Sequence, residues 1–486
     1  MKLNKLFERI TPLQVVGEMT HEIESITADS RQVQPNGLFV AIQGTAVDGH
    51  QYIAQAIAQG AVVVVCETMP ATLQAGITYI HVANGSLAIA QIASAFYGYP
   101  SEALKLVGVT GTNGKTTIAT LLYTLFSKMG YPCGLLSTVC NYVCDRAIEA
   151  THTTPDAVSL NALLREMVDA GCGYAFMEVS SHAVDQHRIG GLAFDGGIFT
   201  NLTRDHLDYH VTFDAYLKAK KGFFDQLPKT AFALTNKDDR NGAVMLQNTE
   251  AKNANYSVRS MADYKGIIAE EHFDGMLLEI NGREVLTHFV GTFNASNLLA
   301  VYGAAIELGA NAEEVLLQMS LLLPVSGRFE TIRSKNKITA IVDYAHTPDA
   351  LKNVLDAINE IQAGRGDIIT VVGAGGNRDK GKRPLMAQEA CKGSTRVILT
   401  SDNPRFEEPE AIIADMVAGL DPMQRRIALQ IVDRKEAIRA AIMMAQEHTV
   451  VLIAGKGHED YQDVKGVKSH FDDREIVRAL FAEQEI

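Results

Sequence analysis

Between Lys105 and Leu125 a strand, a glycine loop and a helix start follow one another without interruption. No other stretch limits the fold of this chain as strongly. Lys105-Leu-Val-Gly-Val109 reads as a short buried strand. The loop Gly108-Val-Thr-Gly-Thr-Asn-Gly-Lys-Thr-Thr117 overlaps its end, and Ile118, Leu121, Leu122 and Leu125 then recur at helical spacing, with Gly130 as a stop. This order aims free backbone N–H groups at a phosphate. Gly111, Thr112, Asn113, Gly114 and Thr117 would form the cradle, Lys115 would reach the terminal phosphates, and the Thr116 hydroxyl would hold Mg²⁺. The loop departs from G-x-x-x-x-G-K-[ST], because Val109 stands at the first-glycine position and Gly108 one place earlier. Gly-Thr-Asn-Gly-Lys-Thr is nonetheless a narrow pattern. Its strand–loop–helix setting favours an ATP site over a glycine turn beside a surface lysine.

At 486 residues the chain is too long for one ordinary core. Three segments differ in character. Residues 1–98 hold short β-rich runs, among them Gly37–Gly44, read as turn, strand, turn, and Ala61–Cys66, and predict a small α/β domain. Residues 99–332 contain the phosphate loop. Strand-like Gly173–Val179 and Phe194–Thr200 alternate there with helical patterns such as Ser159–Ala170, which predicts a mainly parallel sheet covered by helices on both faces. Within it, Asp274-Gly275 and Asn281-Gly282 mark hairpin turns. Residues 333–486 show the clearest α/β alternation, with apolar runs at Ile338–Asp343, Ile368–Gly373, Arg396–Thr400 and Val450–Ala454. Gly373-Ala-Gly375-Gly376-Asn377-Arg378 lacks the third glycine of a dinucleotide fingerprint, so NAD or FAD binding is rejected.

Formal net charge is −13 and no Lys/Arg run dominates, which argues against nucleic acid as a partner. Six cysteines form no C-x-x-C pair and fit a reduced interior. The N-terminus carries no long apolar segment, so neither a signal peptide nor membrane insertion is expected, and the chain reads as cytoplasmic.

Several strand ends carry chemistry-bearing residues. Glu178 closes an apolar strand at the edge that holds the phosphate loop, where a carboxylate can hold Mg²⁺ or simply terminate a turn. Thr200-Asn-Leu-Thr-Arg-Asp-His-Leu-Asp-Tyr-His210 packs His and Asp residues into a loop, with His206 the best ligand candidate. By composition alone, Lys220-Lys221 on the next helix reads as a solvated face. Asp343-Tyr-Ala-His-Thr-Pro-Asp349 offers Asp343 and His346 to a ribose or phosphate, while Thr347-Pro348 suits a helix cap. Asp402-Asn403-Pro404-Arg405 is either an Asn-Pro turn or a zwitterion clamp. In the clamp, Arg405 grips a carboxylate through two parallel hydrogen bonds and Asp402 and Asn403 receive an ammonium group. Gly455-Lys-Gly-His-Glu459 would line the same pocket.

These motifs together resemble the Mur ligases of bacterial cell-wall synthesis. They run in order from Asp29-Ser-Arg31 and Gly111–Thr116 through Met177–His182, Asn201–His210, Gly291-Thr-Phe-Asn294, Gly327-Arg-Phe-Glu330 and Asp343–Asp349 to Gly375–Pro384, Asp402–Arg405 and Gly455–Glu459. The closest resemblance is to members that add meso-diaminopimelate to UDP-N-acetylmuramoyl-L-alanyl-D-glutamate. It implies an α/β protein of three domains: a UDP-substrate-binding N-terminal domain, a central P-loop ATPase domain and a C-terminal Rossmann-like domain that binds the amino acid. It also implies an ATP-dependent acid–amino-acid ligase working through an acyl phosphate, as a monomer, in peptidoglycan precursor synthesis.

Carried over by position, Lys115, Lys220 and His206 are catalytic, and Thr116, Glu178, His206 and Lys220 form the magnesium shell. Lys220 matches a lysine that relatives carry as a carbamate formed with CO₂, which would reverse its solvated-face reading. Asn294, Arg328, Asp343 and His346 match positions associated with ATP and domain closure. The UDP-substrate positions are Ala28, Ser30, Thr45, Ala46, Val47, His152, Thr153, Thr154, Ser180, Gln186 and Arg188. His152 and Thr45-Ala-Val47 depart from the commoner family residues there. Diaminopimelate would meet Arg378, Asp402, Asn403, Pro404, Arg405, Gly455 and Glu459. Lysine-adding relatives lack the arginine of this motif, and an unpaired buried Arg405 would penalise lysine. Folylpolyglutamate synthetase shares the ATP core but does not account for Asp402–Arg405, and a catalytically dead nucleotide-binding scaffold does not account for Lys115, Glu178, His206 and Lys220 together.

Overall fold

The computed structural model describes residues 1–44, 47–150, 152–205 and 207–484. Thr45 and Ala46 of the UDP-substrate set and His206 of the metal set lie outside the described residues.

Three main sheets follow one another along the chain. The first has five strands, ordered Gln14–Val16, Thr78–His81, Ala61–Cys66, Gly37–Ala41 and Ser25–Thr27, all parallel except the first. Ala61-Val-Val-Val-Val-Cys66 is almost wholly buried because it is an interior strand covered on both faces, which is why it reads as a continuous apolar run.

The second sheet has eleven strands. Its parallel centre runs Tyr264–His272, Lys252–Ser257, Phe232–Asn236, Gly196–Phe199, Lys105–Thr110, Tyr174–Glu178 and Cys133–Leu136. An antiparallel hairpin strip extends each edge. On one side Gly275–Ile280 and Arg283–Thr287 turn where Asp274-Gly275 and Asn281-Gly282 predict. On the other, Cys140–Val143 and Arg146–Glu149 form a strip that the sequence pattern did not reveal. Helix Thr292–Glu307 is buried on nearly every side, packed against strands of this sheet and against helix Lys115–Lys128. Its apolar and small residues therefore show little one-sided periodicity.

The third sheet orders six strands: Glu330–Arg333, Thr339–Asp343, Val450–Ala454, Ile368–Ala374, Arg396–Ser401 and Ala428–Gln430. All pairs after the first are parallel. Glu330–Arg333 straddles the expected segment boundary at 332. The last strand in sequence inserts between the first two parallel runs, which places the loops after Asp343, Ala374, Ser401 and Ala454 side by side at one carboxyl edge. Open α/β sheets hold ligands at that edge. A separate hairpin, Tyr461–Val464 with Val467–His470, stands beside them. No helix among the described residues is long and apolar enough to cross a membrane.

Candidate active site

The phosphate loop is shaped by close backbone contact. Gly111 has φ +149°, and a Cβ there would lie 1.8 Å from Thr200 Oγ1, so only glycine fits. The loop is locked to the strand end beside it: Asn113 N donates to Asn201 Oδ1 at 2.9 Å, and Thr200 Oγ1 donates to Asn113 O at 2.6 Å. Asn201 opens the Asn201–His210 motif but was given no role from the sequence, where it is one more polar residue in a polar loop. Lys115 folds back, donating to Gly111 O and Thr112 O at 2.9 and 2.8 Å. Burial lowers its pKa, opposed by the Glu178 and Asp205 charges.

Lys220 overturns its compositional reading. It is 1% exposed, and its Nζ donates to Gly111 O at 2.7 Å and sits 4.7 Å from the Tyr216 ring centroid. Helix Phe213–Asp225 turns this residue inward, while Lys221 pairs with Asp225 at 2.5 Å nearer the surface. Two adjacent lysines thus occupy different environments, about 100° apart on the helix. Burial and the Lys115 charge hold the Lys220 ammonium well below its ordinary pKa.

Glu178 emerges at the same edge and is 1% exposed. Its Oε1 accepts from Thr138 N at 2.7 Å, and Oε2 accepts no hydrogen bond among the described residues. The Thr116 hydroxyl meets Arg328 Nη2 at 3.2 Å, across a sequence separation that joins the second and third sheets. Asn113 Nδ2 donates to Asp349 Oδ2 at 3.2 Å along the same seam. Arg328 also lies over the Tyr344 ring at 4.5 Å. Asn294 lies behind the loop, donating to Val290 O at 2.7 Å and accepting from Asn297 Nδ2 at 3.3 Å.

Thr347 caps helix Pro348–Gln362 as predicted, and its Oγ1 accepts from Ala350 N. Nearby, Asp343 Oδ2 accepts from Phe329 N at 2.7 Å, and His346 Nδ1 bonds Tyr344 O at 2.8 Å. Burial, offset by Arg328, raises Asp343 to about 6, and burial together with the Lys382 charge lowers His346 to about 4. For Asp343 the folded pKa lies above the unfolded carboxylate value of about 3.9. The folded state therefore binds this proton more tightly, and its contribution to stability is lost as pH rises from about 4 to about 6. Denaturant unfolding of Asp343→Asn should reveal it. Across that window the wild type is expected to lose about 2–3 kcal/mol relative to the variant; a difference independent of pH would contradict the burial account.

Thr153, Thr154, Ser180, Gln186 and Arg188 form one connected network. Thr154 Oγ1 donates to Glu178 O at 2.8 Å and lies 3.4 Å from Ser180 Oγ, and Thr138 Oγ1 donates to Thr153 Oγ1 at 3.0 Å. Arg188 Nη1 donates to Thr154 O at 2.8 Å and its Nε to Gln186 Oε1 at 3.0 Å. Ala28, Ser30 and Val47 belong with the first sheet and share no hydrogen bond with this network among the described residues; His152 is exposed. Ser30 is buried, with Oγ 3.5 Å from Gln55 Oε1.

At the third sheet, Asp402, Asn403 and Pro404 are buried and Arg405 half-buried. Arg405 Nη1 donates to Gly376 O at 2.7 Å, while Nε and Nη2 donate to no group among the described residues. Gly455 faces Asp402: a Cβ there would lie 2.6 Å from Asp402 Oδ2. Asn403 is more committed than its sequence reading allowed. Its Nδ2 donates to Glu459 Oε2 at 2.7 Å, and its Oδ1 accepts from Asp463 N at 2.9 Å and Lys456 Nζ at 3.3 Å. The amide oxygen expected to receive a ligand ammonium is thus already occupied, and Asp402 and Glu459 remain as the anionic groups. Lys456, fully buried, was missed because the glycines around it suggested backbone geometry. Arg378 is exposed at the rim. A Cβ on Gly376 would fall 1.9 Å from Pro404 O, so the two loops touch through backbone. Gly376→Ala is expected to displace Pro404 and Arg405 and so to weaken, by about tenfold or more, binding of the diaminopimelate that the family resemblance assigns to this loop; calorimetric titration checks it.

Lys382, at the start of helix Lys382–Gly393, is also buried, and its ammonium donates to no group among the described residues. Burial lowers its pKa, opposed by Asp205 and Asp402, so it sits in the electrostatic field of both motif edges.

Comparison with known proteins agrees with this arrangement. Residues 22–97 match the description "Mur ligase family, catalytic domain", 109–305 "Mur ligase middle domain" and 327–457 "Mur ligase, glutamate ligase domain". The chain is 62% identical over 484 residues to a UDP-N-acetylmuramoyl-L-alanyl-D-glutamate–2,6-diaminopimelate ligase of Phocaeicola vulgatus, covering 100% of both chains. It is 59% identical to the protein of the same name from Bacteroides fragilis, over 99% of both. Among solved structures, a protein of that name superposes with TM-score 0.71 at 33% identity over 99% of each chain. A folylpolyglutamate synthase from Mycobacterium tuberculosis shares the fold at TM-score 0.59 and 15% identity, over 76% of this chain and 92% of its own. The chain belongs to the Mur ligase family.

Proposed function

We propose that this chain is the ATP-dependent ligase that joins meso-diaminopimelate to UDP-N-acetylmuramoyl-L-alanyl-D-glutamate in peptidoglycan precursor synthesis, acting as a cytoplasmic monomer. The observation that carries the reading is the pairing of a phosphate loop with a half-buried arginine at adjoining sheet edges. Arg405 Nε and Nη2 donate to no group among the described residues, on the loop that also carries Asp402. Residues 1–98 would bind the UDP moiety, 99–332 ATP and 333–486 the amino acid.

In this mechanism a D-glutamyl carboxylate oxygen attacks the γ-phosphorus of ATP, and ADP leaves. The amine of diaminopimelate then attacks the acyl carbon, phosphate departs with the bonding pair, the nitrogen gives up one proton, and an amide remains. Lys115, which donates to its own loop's carbonyls, would swing to the β- and γ-oxygens. The network through Thr154 and Arg188 would orient the acceptor peptide next to Glu178. Asp402 and Glu459 would hold an ammonium and Arg405 the distal carboxylate. Asp343 and His346, tied to the strand end, would hold the nucleotide side of the seam that Arg328 bridges.

The donor set suits magnesium, because Thr116 and Glu178 carry hard oxygen donors and Glu178 Oε2 accepts no hydrogen bond among the described residues; this ion needs few protein ligands beside phosphates. When bound by Thr116, Glu178, His206 and carbamylated Lys220, it would neutralise charge on the transferring group. Lys220 reacts as the neutral amine: its nitrogen bonds to the carbon of CO₂ and a proton is released, which leaves an anion in place of a cation.

Phosphate release with ATP, Mg²⁺ and the UDP-dipeptide, compared between meso-diaminopimelate and L-lysine, tests the reading. Release with diaminopimelate alone is expected. Release with lysine would keep a ligase and remove the clamp, and silence with both would refute the reading.

A further inference from the structure

The Asp402–Arg405 loop is braced from two sides, by the Gly376 backbone and by a hairpin. Arg405 has φ +53°, in the left-handed region that side chains occupy at a cost. The loop is held from outside by the hairpin Tyr461–Val464/Val467–His470, which is not part of the main sheet. Backbone pairing joins the two: Arg405 N donates to Asp463 O at 3.0 Å and Lys465 N to Arg405 O at 2.6 Å. Asp463 N donates to Asn403 Oδ1 at 2.9 Å. Gln462 Nε2 donates to Asp402 O at 2.8 Å.

Of these contacts, only that of Gln462 uses a hairpin side chain, so it alone depends on the residue's identity. The hairpin has the means to act as a rigid template. Its turn, Lys465-Gly466, has φ +52° and +82°, the two positive values of a type I′ turn, which sets register tightly. Its base is tied down by Lys456 Nζ, which donates to Tyr461 O and lies 3.2 Å from Glu459 Oε2. A two-residue slip or a tilt of the hairpin would carry the Arg405 backbone with it.

We propose that Gln462 is a positioning residue for acceptor selectivity: its amide holds the Asp402 carbonyl, and the hairpin that carries it sets the angle at which Arg405 meets the acceptor's second carboxylate. This rests on the ligase reading above and names the group that tunes its specificity. Gln462 touches no substrate in this role.

The test compares Gln462→Met, which keeps volume and removes the donor, with Gln462→His, which keeps a donor at similar reach. One net hydrogen bond corresponds to about a 2- to 10-fold change in affinity. The Met variant is therefore expected to raise KM for diaminopimelate by about that factor, to lower the diaminopimelate-to-lysine preference, and to leave KM for ATP and for the UDP-dipeptide within about twofold. The His variant should recover most of the loss. Gly466→Ala, which strains the hairpin turn at its positive φ, should reproduce the same selective rise and serves if the Met variant fails to fold. An unchanged KM for diaminopimelate, or equal rises for all three substrates, would overturn the role of Gln462. A wild type inert toward both acceptors would instead overturn the ligase reading and this inference with it.

Discussion

Lys220→Ala is expected to lower turnover by about 100- to 1000-fold, the cost of removing one preorganised electrostatic group from a site where charge moves. The fold should survive, because the side chain contributes one hydrogen bond, to Gly111 O, and no ion pair among the described residues. The argument rests on its burial. An ammonium 1% exposed, in the field of Lys115, is poorly placed as a charge and well placed as a neutral amine. A neutral amine is the form that adds CO₂. Millimolar acetate or formate should partly restore turnover in the alanine variant, by returning a carboxylate to the vacated volume. The wild type incubated with ¹³C-labelled CO₂ should show a carbamate carbon resonance that the variant lacks. Turnover at the wild-type rate in Lys220→Ala would sink the assignment.

Arg405→Lys should separate the amino-acid site from the nucleotide site. The guanidinium donates one nitrogen to Gly376 O, and its Nε and Nη2 donate to no group among the described residues. An ammonium cannot keep that loop contact and also present two parallel donors to a carboxylate. Loss of one partner from a hydrogen-bonded charge pair costs about 2–5 kcal/mol, so kcat/KM for diaminopimelate should fall by about 30-fold or more, while ATP affinity stays within about twofold. Steady-state kinetics with each substrate varied in turn will decide. Equal loss for ATP and diaminopimelate would mean that Arg405 supports the fold at the seam and does not read the acceptor.

Much of the architecture was legible. The strand ending at Thr110, the helix from Lys115 and the four parallel runs of the third sheet were visible as apolar stretches closed by loops, because strands buried on both faces cannot hide their composition. The strip Cys140–Val143/Arg146–Glu149 was not legible: its burial alternates or fails outright at the sheet margin, which leaves a weak pattern. Lys220 shows the same limit in the site. Its nearest neighbours, Lys218, Ala219, Lys221 and Gly222, include no large apolar side chain, and only the packing of Phe223, Phe224 and Tyr216 against the sheet shows that this face of the helix points inward.

Residue type and spacing by themselves determined the phosphate loop, the strand-end placement of Glu178, Asp343 and Asp402, and the α/β class, since each follows from local backbone geometry and hydrophobic period. Tertiary structure alone decided which motif ends meet. Arg328 reaches Thr116, Asn113 reaches Asp349 and Gln462 reaches Asp402 only because strand order and sheet packing bring distant segments together. Burial decided the rest: Lys221 is partly exposed and paired with Asp225, whereas Lys220 is fully desolvated, and the difference is the loss of water around it.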